Sequence, residues 1–158
     1  MKRSEQLKVL SWEHHDALKF SQNIRKALEN NTDPALISQY VLFITEHHLK
    51  PHFKLEEEIL LGRMSEEQQK EWSVQQVLEE HRRFQRLDER ISSKKGDMIQ
   101  LVTDFMTLLK SHVTLEEKWL FPYCEKVLSD EDLLQAKIEL EREHESERLE
   151  WENRFWEA

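Results

Sequence analysis

A histidine followed four residues later by a glutamate occurs twice in nearly the same setting. The first copy reads His52-Phe-Lys-Leu-Glu56 and the second reads His112-Val-Thr-Leu-Glu116, and another glutamate follows each copy directly. On a helix, residues four apart lie on the same face, one turn from each other. Each copy would therefore present an imidazole and a carboxylate to the same side, and both groups are common metal ligands.

Two further histidines continue apolar helical stripes elsewhere in the chain. His14 follows Leu10 by four residues, and His81 follows Val77 by four. Counted from the predicted turns at 1.5 Å per residue, the four histidines lie within roughly 6–10 Å of one level along a bundle axis. Several imidazoles with two carboxylates inside a helical bundle are typical of di-iron and di-manganese sites. A metal would also compensate carboxylates whose burial alone is unfavourable.

The composition favours long helices joined by short connections. The 158 residues include only 2 Gly and 3 Pro, which leaves little material for hairpin turns. Apolar periodicity predicts core helices over about 4–28, 34–62, 65–92 and 97–122. Short connections make neighbouring helices antiparallel, so residues 1–128 are predicted to form an all-α, up-down-up-down four-helix bundle.

The rest of the chain, residues 129–158, is predicted to add a C-terminal helix from Leu133 to about Phe155. This helix would pack on the bundle or at a subunit interface, where it could support a homodimer. Trp151 and Trp156 in this part are expected to pack and not to bind a cofactor. Within the second core helix, Pro51 should produce a kink or a loosened turn because it cannot donate a hydrogen bond to the carbonyl of His47.

Charge and cysteine content limit the classes of partner. The formal net charge is −9 and no block of Lys or Arg is present, which argues against nucleic acid and anionic membranes. The single cysteine, Cys124, excludes an intramolecular disulfide and suggests a small apolar filler. No apolar signal region and no stretch of roughly 20 apolar residues is found. We therefore expect a cytoplasmic protein with no membrane partner.

The stretches around the candidate ligands resemble the hemerythrin family, whose bacterial form is often called the HHE cation-binding domain. The resemblance covers about residues 7–128 and rests on LSWEHHDAL, HFKLEEEILL, EEHRRF and HVTLEEKWLFP, one from each core helix. It implies a four-helix bundle with two non-haem iron ions bridged by carboxylates. Carried over position by position, the implied metal ligands are His14, His52, Glu56, His81, His112 and Glu116.

Two of these ligands have a neighbour that could take their place. His15 is the alternative to His14, which is preferred because it alone continues the helical stripe. Glu117 stands five residues after the histidine of the fourth helix, where oxygen-carrying members of the family place an acidic ligand. Helical geometry and the repeat in the second helix favour Glu116.

In their third helix, oxygen-carrying members of the family have a pattern that resembles H-x-x-x-H. The third helix of this chain departs from that pattern. Val77 and Gln85 occupy the two positions four residues from His81, so one imidazole is missing and one metal ion would be under-coordinated. His48, one turn before His52, could replace the missing ligand or support another one.

Four histidines and two glutamates do not fill the coordination positions of two iron ions, which leaves room for a small ligand. The first hypothesis is a protein that binds O₂ or senses oxygen or iron, without being an enzyme. The alternative is a di-iron redox enzyme acting on O₂, peroxide or nitric oxide, although no flavin motif, cysteine pair or separate proton donor is evident. A third hypothesis is a metal-free or zinc-bound interaction module. An apolar ligand pocket is expected from Leu18, Phe53, Leu108, Leu115 and Trp119.

Overall fold

The computed structural model describes residues 4–144 and 149–157, and within these ranges it contains six helices and no strand. The all-α fold predicted from the sequence is therefore confirmed. In chain order the helices are α1, Lys8–Glu29; α2, residues 34–60; α3, Glu66–Gln69; α4, Trp72–Ser92; α5, residues 98–127; and α6, Asp130–His144. Short 3₁₀ turns cover Glu5–Leu7, Leu61–Arg63 and Phe155–Glu157.

Helices α2 and α5 each change from α-helical to π-helical geometry where the candidate ligands lie. In α2 the π-helical turns are Thr45–Leu49 and Glu56–Leu60, and in α5 the π-helical turn is Glu116–Leu120. The loosened turn expected at Pro51 is the first of these, and Pro122 follows the third in the same way. A proline removes one hydrogen bond from the helix, and a wider turn accommodates its ring.

Side-chain caps set the starts of α2, α4 and α5, whereas α1 starts without one. Asp33 accepts a hydrogen bond from the backbone N–H of Ala35 at 3.0 Å, and Pro34 occupies the first helical position of α2. Ser65 and Gln68 form a capping box, but it starts only the short α3. The expectation that the third core helix begins there is wrong, because the chain becomes extended at Glu71, whose side chain caps α4.

The bundle core is divided into two apolar clusters, one toward each end. The first contains Ile24, Ile44, Phe84, Phe105 and other side chains, and the second contains Leu10, Leu60, Val77, Phe121 and other side chains. Along α1, His14 lies between Leu10 of the second cluster and Ala17 of the first. The same change from one cluster to the other occurs at the histidines of α2, α4 and α5, so a polar layer separates the two clusters.

Helix α6 packs against α1 and the second π-helical turn of α2 through Leu133, Ala136 and Leu140. The prediction that this helix continues to about Phe155 is wrong, since residues 149–154 have no regular structure. His144 contacts Glu13, and Trp156 contacts Asn30 at the far end of α1. That distance along α1 is about 25 Å, whereas a helix from 144 to 156 would span only about 18 Å. The non-helical residues 149–154 provide part of the additional reach.

In the described part of the chain, none of the helices is both long and apolar enough to cross a bilayer. Whether residues 129–158 behave as a unit separate from residues 1–128 stays a prediction.

Candidate metal centre

Six buried polar side chains meet in the layer between the two apolar clusters, and none is more than 8% exposed. They come from all four long helices of the bundle, so each helix positions at least one of them. Helix α1 contributes His14, α2 contributes His52 and Glu56, α4 contributes His81, and α5 contributes His112 and Glu116. These are the six residues selected from the sequence.

The six side chains form two overlapping groups of four. One group is His14, His52, Glu56 and Glu116, and the other is Glu56, His81, His112 and Glu116. Within each group, one ligand atom from every member lies within 4.8 Å of the others. Glu56 and Glu116 belong to both groups, so each group combines the two shared carboxylates with two imidazoles.

All four imidazoles direct Nε2 toward the shared carboxylates. Oε1 of Glu116 lies 2.8 Å from Nε2 of His14 and 3.5 Å from Nε2 of His112. On the Glu56 side, Oε1 lies 3.3 Å from Nε2 of His52 and 3.5 Å from Nε2 of His81. Neutral imidazole nitrogens arranged in this way could act as metal ligands.

A second carboxylate lies beside the outer nitrogen, Nδ1, of every one of these imidazoles. The pairs are His52 with Glu13 at 2.7 Å, His112 with Glu80 at 2.7 Å, His81 with Glu57 at 2.8 Å, and His14 with Glu117 at 3.7 Å. In the three shorter pairs the carboxylate accepts a hydrogen bond from Nδ1, which fixes the ring and leaves the Nε2 lone pair facing inward. Sequence reasoning missed the roles of Glu13 and Glu80.

The two shared carboxylates have opposite protonation tendencies. Burial, together with the nearby charge of Glu116, raises the pKa of Glu56 well above its ordinary value. Burial also opposes ionisation of Glu116. The charge of His112 and close contacts with three further side chains outweigh burial and hold the pKa of Glu116 well below its ordinary value. These side chains are Glu56, His14 and His52. In the metal-free layer, the surroundings thus favour the neutral form of Glu56 and the charged form of Glu116.

The pKa values of three histidines in the layer depend on burial and on neighbouring carboxylates. Burial disfavours the charged form of His52, but contacts with Glu116 and Glu13 outweigh it and raise the pKa of His52 to about 9. The pKa of His14 is raised for the same kind of reason, through Glu116 and Glu117. At His81, burial dominates and lowers the pKa despite the contact with Glu57. Protons therefore occupy part of the layer, and cation binding would displace them.

Several inward-facing atoms of this layer are buried without a hydrogen-bond partner among the described residues. They are both carboxylate oxygens of Glu56, Oε2 of Glu116, and Nε2 of His52, His81 and His112. Leaving a buried polar atom unsatisfied costs about 1–3 kcal/mol. Coordination of cations would satisfy these atoms together, so the donor set fits metal ions.

The alternative ligands considered from the sequence lie outside both groups. His15 is exposed on α1. Glu117 is beside Nδ1 of His14, on the outer side of the ring, and accepts a hydrogen bond from the hydroxyl of Ser11. His48 donates from Nε2 to the backbone oxygen of Leu149 at 2.9 Å. Although the third helix has no second histidine in the layer, each group still contains two imidazoles.

A cavity of about 200 Å³ leads from the surface to the polar layer. His14, His52 and His112 line its buried end, and Asp16 and Glu150 are exposed at its outer end. Between them the wall is mainly apolar, formed by Ala17, Phe20, Leu49, Phe53, Leu109 and Val113, with Glu13, His48 and His144 as its polar members. A small uncharged molecule could reach the layer through this cavity.

The expected pocket residues are only partly correct. Phe53 lines the cavity, whereas Leu18 and Trp119 are 41% and 55% exposed, so their predicted inward orientation is wrong. Leu18 follows Ala17, which faces the core, and one helical step turns the side chain outward. Trp119 lies in the π-helical turn, whose different period changes which positions face the core. Trp72 is likewise 55% exposed, at the first position of α4.

Comparison with protein families places the same stretch of chain in a known group. The family model of the hemerythrin HHE cation binding domain matches residues 5–124. This range includes all six side chains of the layer and ends before α6. Neither the comparison with curated proteins nor the comparison with solved structures found a match.

Proposed function

Since this chain belongs to the hemerythrin HHE cation-binding domain family, we propose that it holds two non-haem iron ions and binds O₂ or another small diatomic ligand. One ion would be bound by His14 and His52, and the other by His81 and His112. Glu56 and Glu116 would bridge the two ions. Cation binding itself agrees both with the family and with the buried His/Glu groups.

The observation that carries this proposal is the overlap of the two donor groups on a single pair of buried carboxylates. Glu56 and Glu116 are both fully buried, and three of their four oxygens have no hydrogen-bond partner among the described residues. Imidazoles contact only one oxygen of Glu116 closely, and buried carboxyl groups whose remaining oxygens have no partner are unfavourable. Two cations held between them would supply a compensating charge.

The surrounding residues have separate roles in this proposal. Bound iron supplies coordination positions that the protein ligands leave open, where a small ligand can bind. Phe53, Leu109 and Val113 keep the cavity apolar beside those positions. Glu13 and Glu80 hold the imidazoles of His52 and His112 in the required orientation.

Metal content is the first test. We expect anaerobic loading with ferrous iron to give two iron ions per chain, and His52→Ala to lose at least one of them. His15→Ala is the matched control, because His15 is exposed and lies outside both donor groups. A His52→Ala protein with full iron content would contradict the ligand assignment.

The absorption spectrum of the ferrous protein before air, after air and after degassing tests the small ligand. A charge-transfer band that appears in air and disappears on degassing supports reversible O₂ binding. A band that persists, or decays irreversibly to the ferric form, favours the alternative di-iron redox enzyme.

We further propose a cytoplasmic location and a homodimer formed through α6. The location is supported by the single cysteine, Cys124, which is fully buried in the second apolar cluster. The dimer is supported by Leu134 and Ile138, which are 49% and 42% exposed on one side of α6. Fractionation of the native cells would test the first proposal.

A further inference from the structure

The outer wall of the cavity is built partly by residues that follow the matched domain. His144 and Glu150 line the cavity, although the family match ends at residue 124. We propose that the C-terminal segment, defined here as His144 and residues 149–156, closes one side of the cavity and limits which ligands reach the metal layer. This inference rests on the proposed function.

Two hydrogen bonds attach the segment beside the cavity. Nδ1 of His144 donates to Oε2 of Glu13 at 3.3 Å, and Oε1 of the same Glu13 accepts from His52 at 2.7 Å. Nε2 of His48 donates to the backbone oxygen of Leu149 at 2.9 Å. One of these bonds thus connects the end of α6, through a single carboxylate, to a candidate metal ligand.

Aromatic packing holds the rest of the segment on α2. Three of its rings, those of Trp151, Phe155 and Trp156, lie 5.6, 5.5 and 5.0 Å from the ring of Tyr40. Trp151 also contacts Phe43 at 5.3 Å. Residues 149–154 have no regular secondary structure, so side-chain contacts and a few hydrogen bonds hold them in place. A segment held in this way can open locally while the bundle stays folded.

The size and charge of the opening define the ligands that it favours. The volume of about 200 Å³ is equivalent to about seven water molecules, each of which takes about 30 Å³ in the liquid. Glu150 of the segment and Asp16 of α1 place carboxylates at the opening, which disfavours anions. Small uncharged molecules are therefore admitted more readily than anions or larger molecules.

A thiol placed in the cavity would report access without any metal. Ala17→Cys introduces it in the apolar wall, and the fully buried Cys124 serves as an internal control for unfolding. In the metal-free full-length protein, the small neutral reagent methyl methanethiosulfonate would label the introduced thiol. We expect Trp151→Ala to accelerate this labelling about tenfold, which corresponds to about 1.4 kcal/mol. Labelling of Cys124 should stay slow.

Trp72→Ala is the matched control, because Trp72 is 55% exposed on α4 and does not line the cavity. A second variant, His48→Ala, removes the hydrogen bond to Leu149 and should accelerate labelling in the same direction by a smaller factor. If Trp151→Ala and His48→Ala, each combined with Ala17→Cys, were labelled at the same rate as the Ala17→Cys protein, the inference would be overturned. If the protein bound no iron but the segment controlled labelling, the proposed function alone would fail. If iron bound and the rates were equal, only this inference would fail.

Discussion

The imidazole of His112 donates a hydrogen bond from Nδ1 to Oε1 of Glu80 at 2.7 Å, and this bond joins α5 to α4 inside the bundle. Glu80 is the residue directly before His81, but its carboxylate supports the histidine of a different helix. Burial alone would raise the pKa of Glu80, but hydrogen bonds from His112 and Gln76 outweigh it and the pKa lies below the ordinary value. Glu80 is therefore a charged acceptor that orients a candidate ligand.

Replacing Glu80 by glutamine should weaken metal binding without removing a ligand. Loss of an outer carboxylate typically lowers metal affinity about 10–100-fold, because the imidazole becomes a weaker and less well oriented ligand. Competition with a chelator of known affinity would measure the change. Glu79→Gln is the control, since the neighbouring Glu79 pairs only with Arg82 and Arg86 at the surface in the described structure. Equal metal affinities of the Glu80→Gln and Glu79→Gln proteins would show that Glu80 does not support the metal site.

The two shared carboxylates should respond differently to the same substitution in the metal-free protein. Burial favours the neutral form of Glu56, so Glu56→Gln should change the free energy of unfolding only by about 1 kcal/mol or less. Glu116→Gln removes the charge that faces protonated His52, and breaking a buried ion pair costs about 3–5 kcal/mol. Urea denaturation in the presence of a chelator would measure both changes.

The iron content of the Glu56→Gln and Glu116→Gln proteins is the second quantity to compare. Both variants should lose iron, because each carboxylate belongs to both donor groups. Equal destabilisation of the two metal-free variants would show that the charge is not concentrated on Glu116.

Stability of the metal-free protein should fall as the pH rises above neutrality. The pKa of His52 is raised from 6.5 to about 9, so its stabilising contribution is fully present below pH 6.5 and is lost as the pH rises through 9. At 1.36 kcal/mol per pKa unit, this contribution is at most about 3 kcal/mol. The raised pKa of Glu56 acts in the same direction.

Urea denaturation at a series of pH values with a chelator present would test this dependence. His52→Gln should flatten the decline, whereas His15→Gln should leave it unchanged because His15 is exposed on α1. A free energy of unfolding that increases between pH 6.5 and 9 would contradict the argument.

The sequence contained enough information to select the side chains of the polar layer. A buried charge on a helix is rare, and the spacing of four residues between His52 and Glu56 fixes a common face. Distances from the turns then placed His14 and His81 at the same level. These steps depend on helical geometry and on approximate turn positions, and they tolerate the wrong start expected for the third core helix because the level was placed only to within roughly 6–10 Å.

The outer carboxylates were harder to predict because each supports a partner on another helix. Glu13 precedes His14 but contacts His52, since neighbouring positions on a helix point about 100° apart. On each of the four helices an acidic residue is the chain neighbour of a candidate ligand, namely Glu13, Glu57, Glu80 and Glu117. Acidic residues are also common on solvated helix faces, so this pattern alone did not reveal their roles. The path of residues 149–156 was unpredictable for a different reason, since it depends on contacts of Trp151 with α2.

If α6 forms a dimer interface, its exposed apolar side should be sensitive to charge. Leu134 and Ile138 are four residues apart, so they lie on one face, and both are exposed. The double variant Leu134→Glu, Ile138→Glu should shift a dimer to monomer in light-scattering measurements. Ile99→Glu is the control, because Ile99 is 53% exposed at the start of α5. A monomeric unmodified protein at micromolar concentration would contradict the proposed dimer.

Metal binding should stabilise the fold, because the ligands come from all four long helices and the cations would bind the folded state. At a free metal concentration 100 times the dissociation constant, the gain is about 2.7 kcal/mol. For a domain of this size this corresponds to an increase in Tm of roughly 5–10 °C. His52→Ala should show a much smaller increase than His15→Ala in thermal denaturation with and without ferrous iron. A metal-free interaction module would show no increase in any of these proteins, because its stability would not depend on compensating the charge of Glu116.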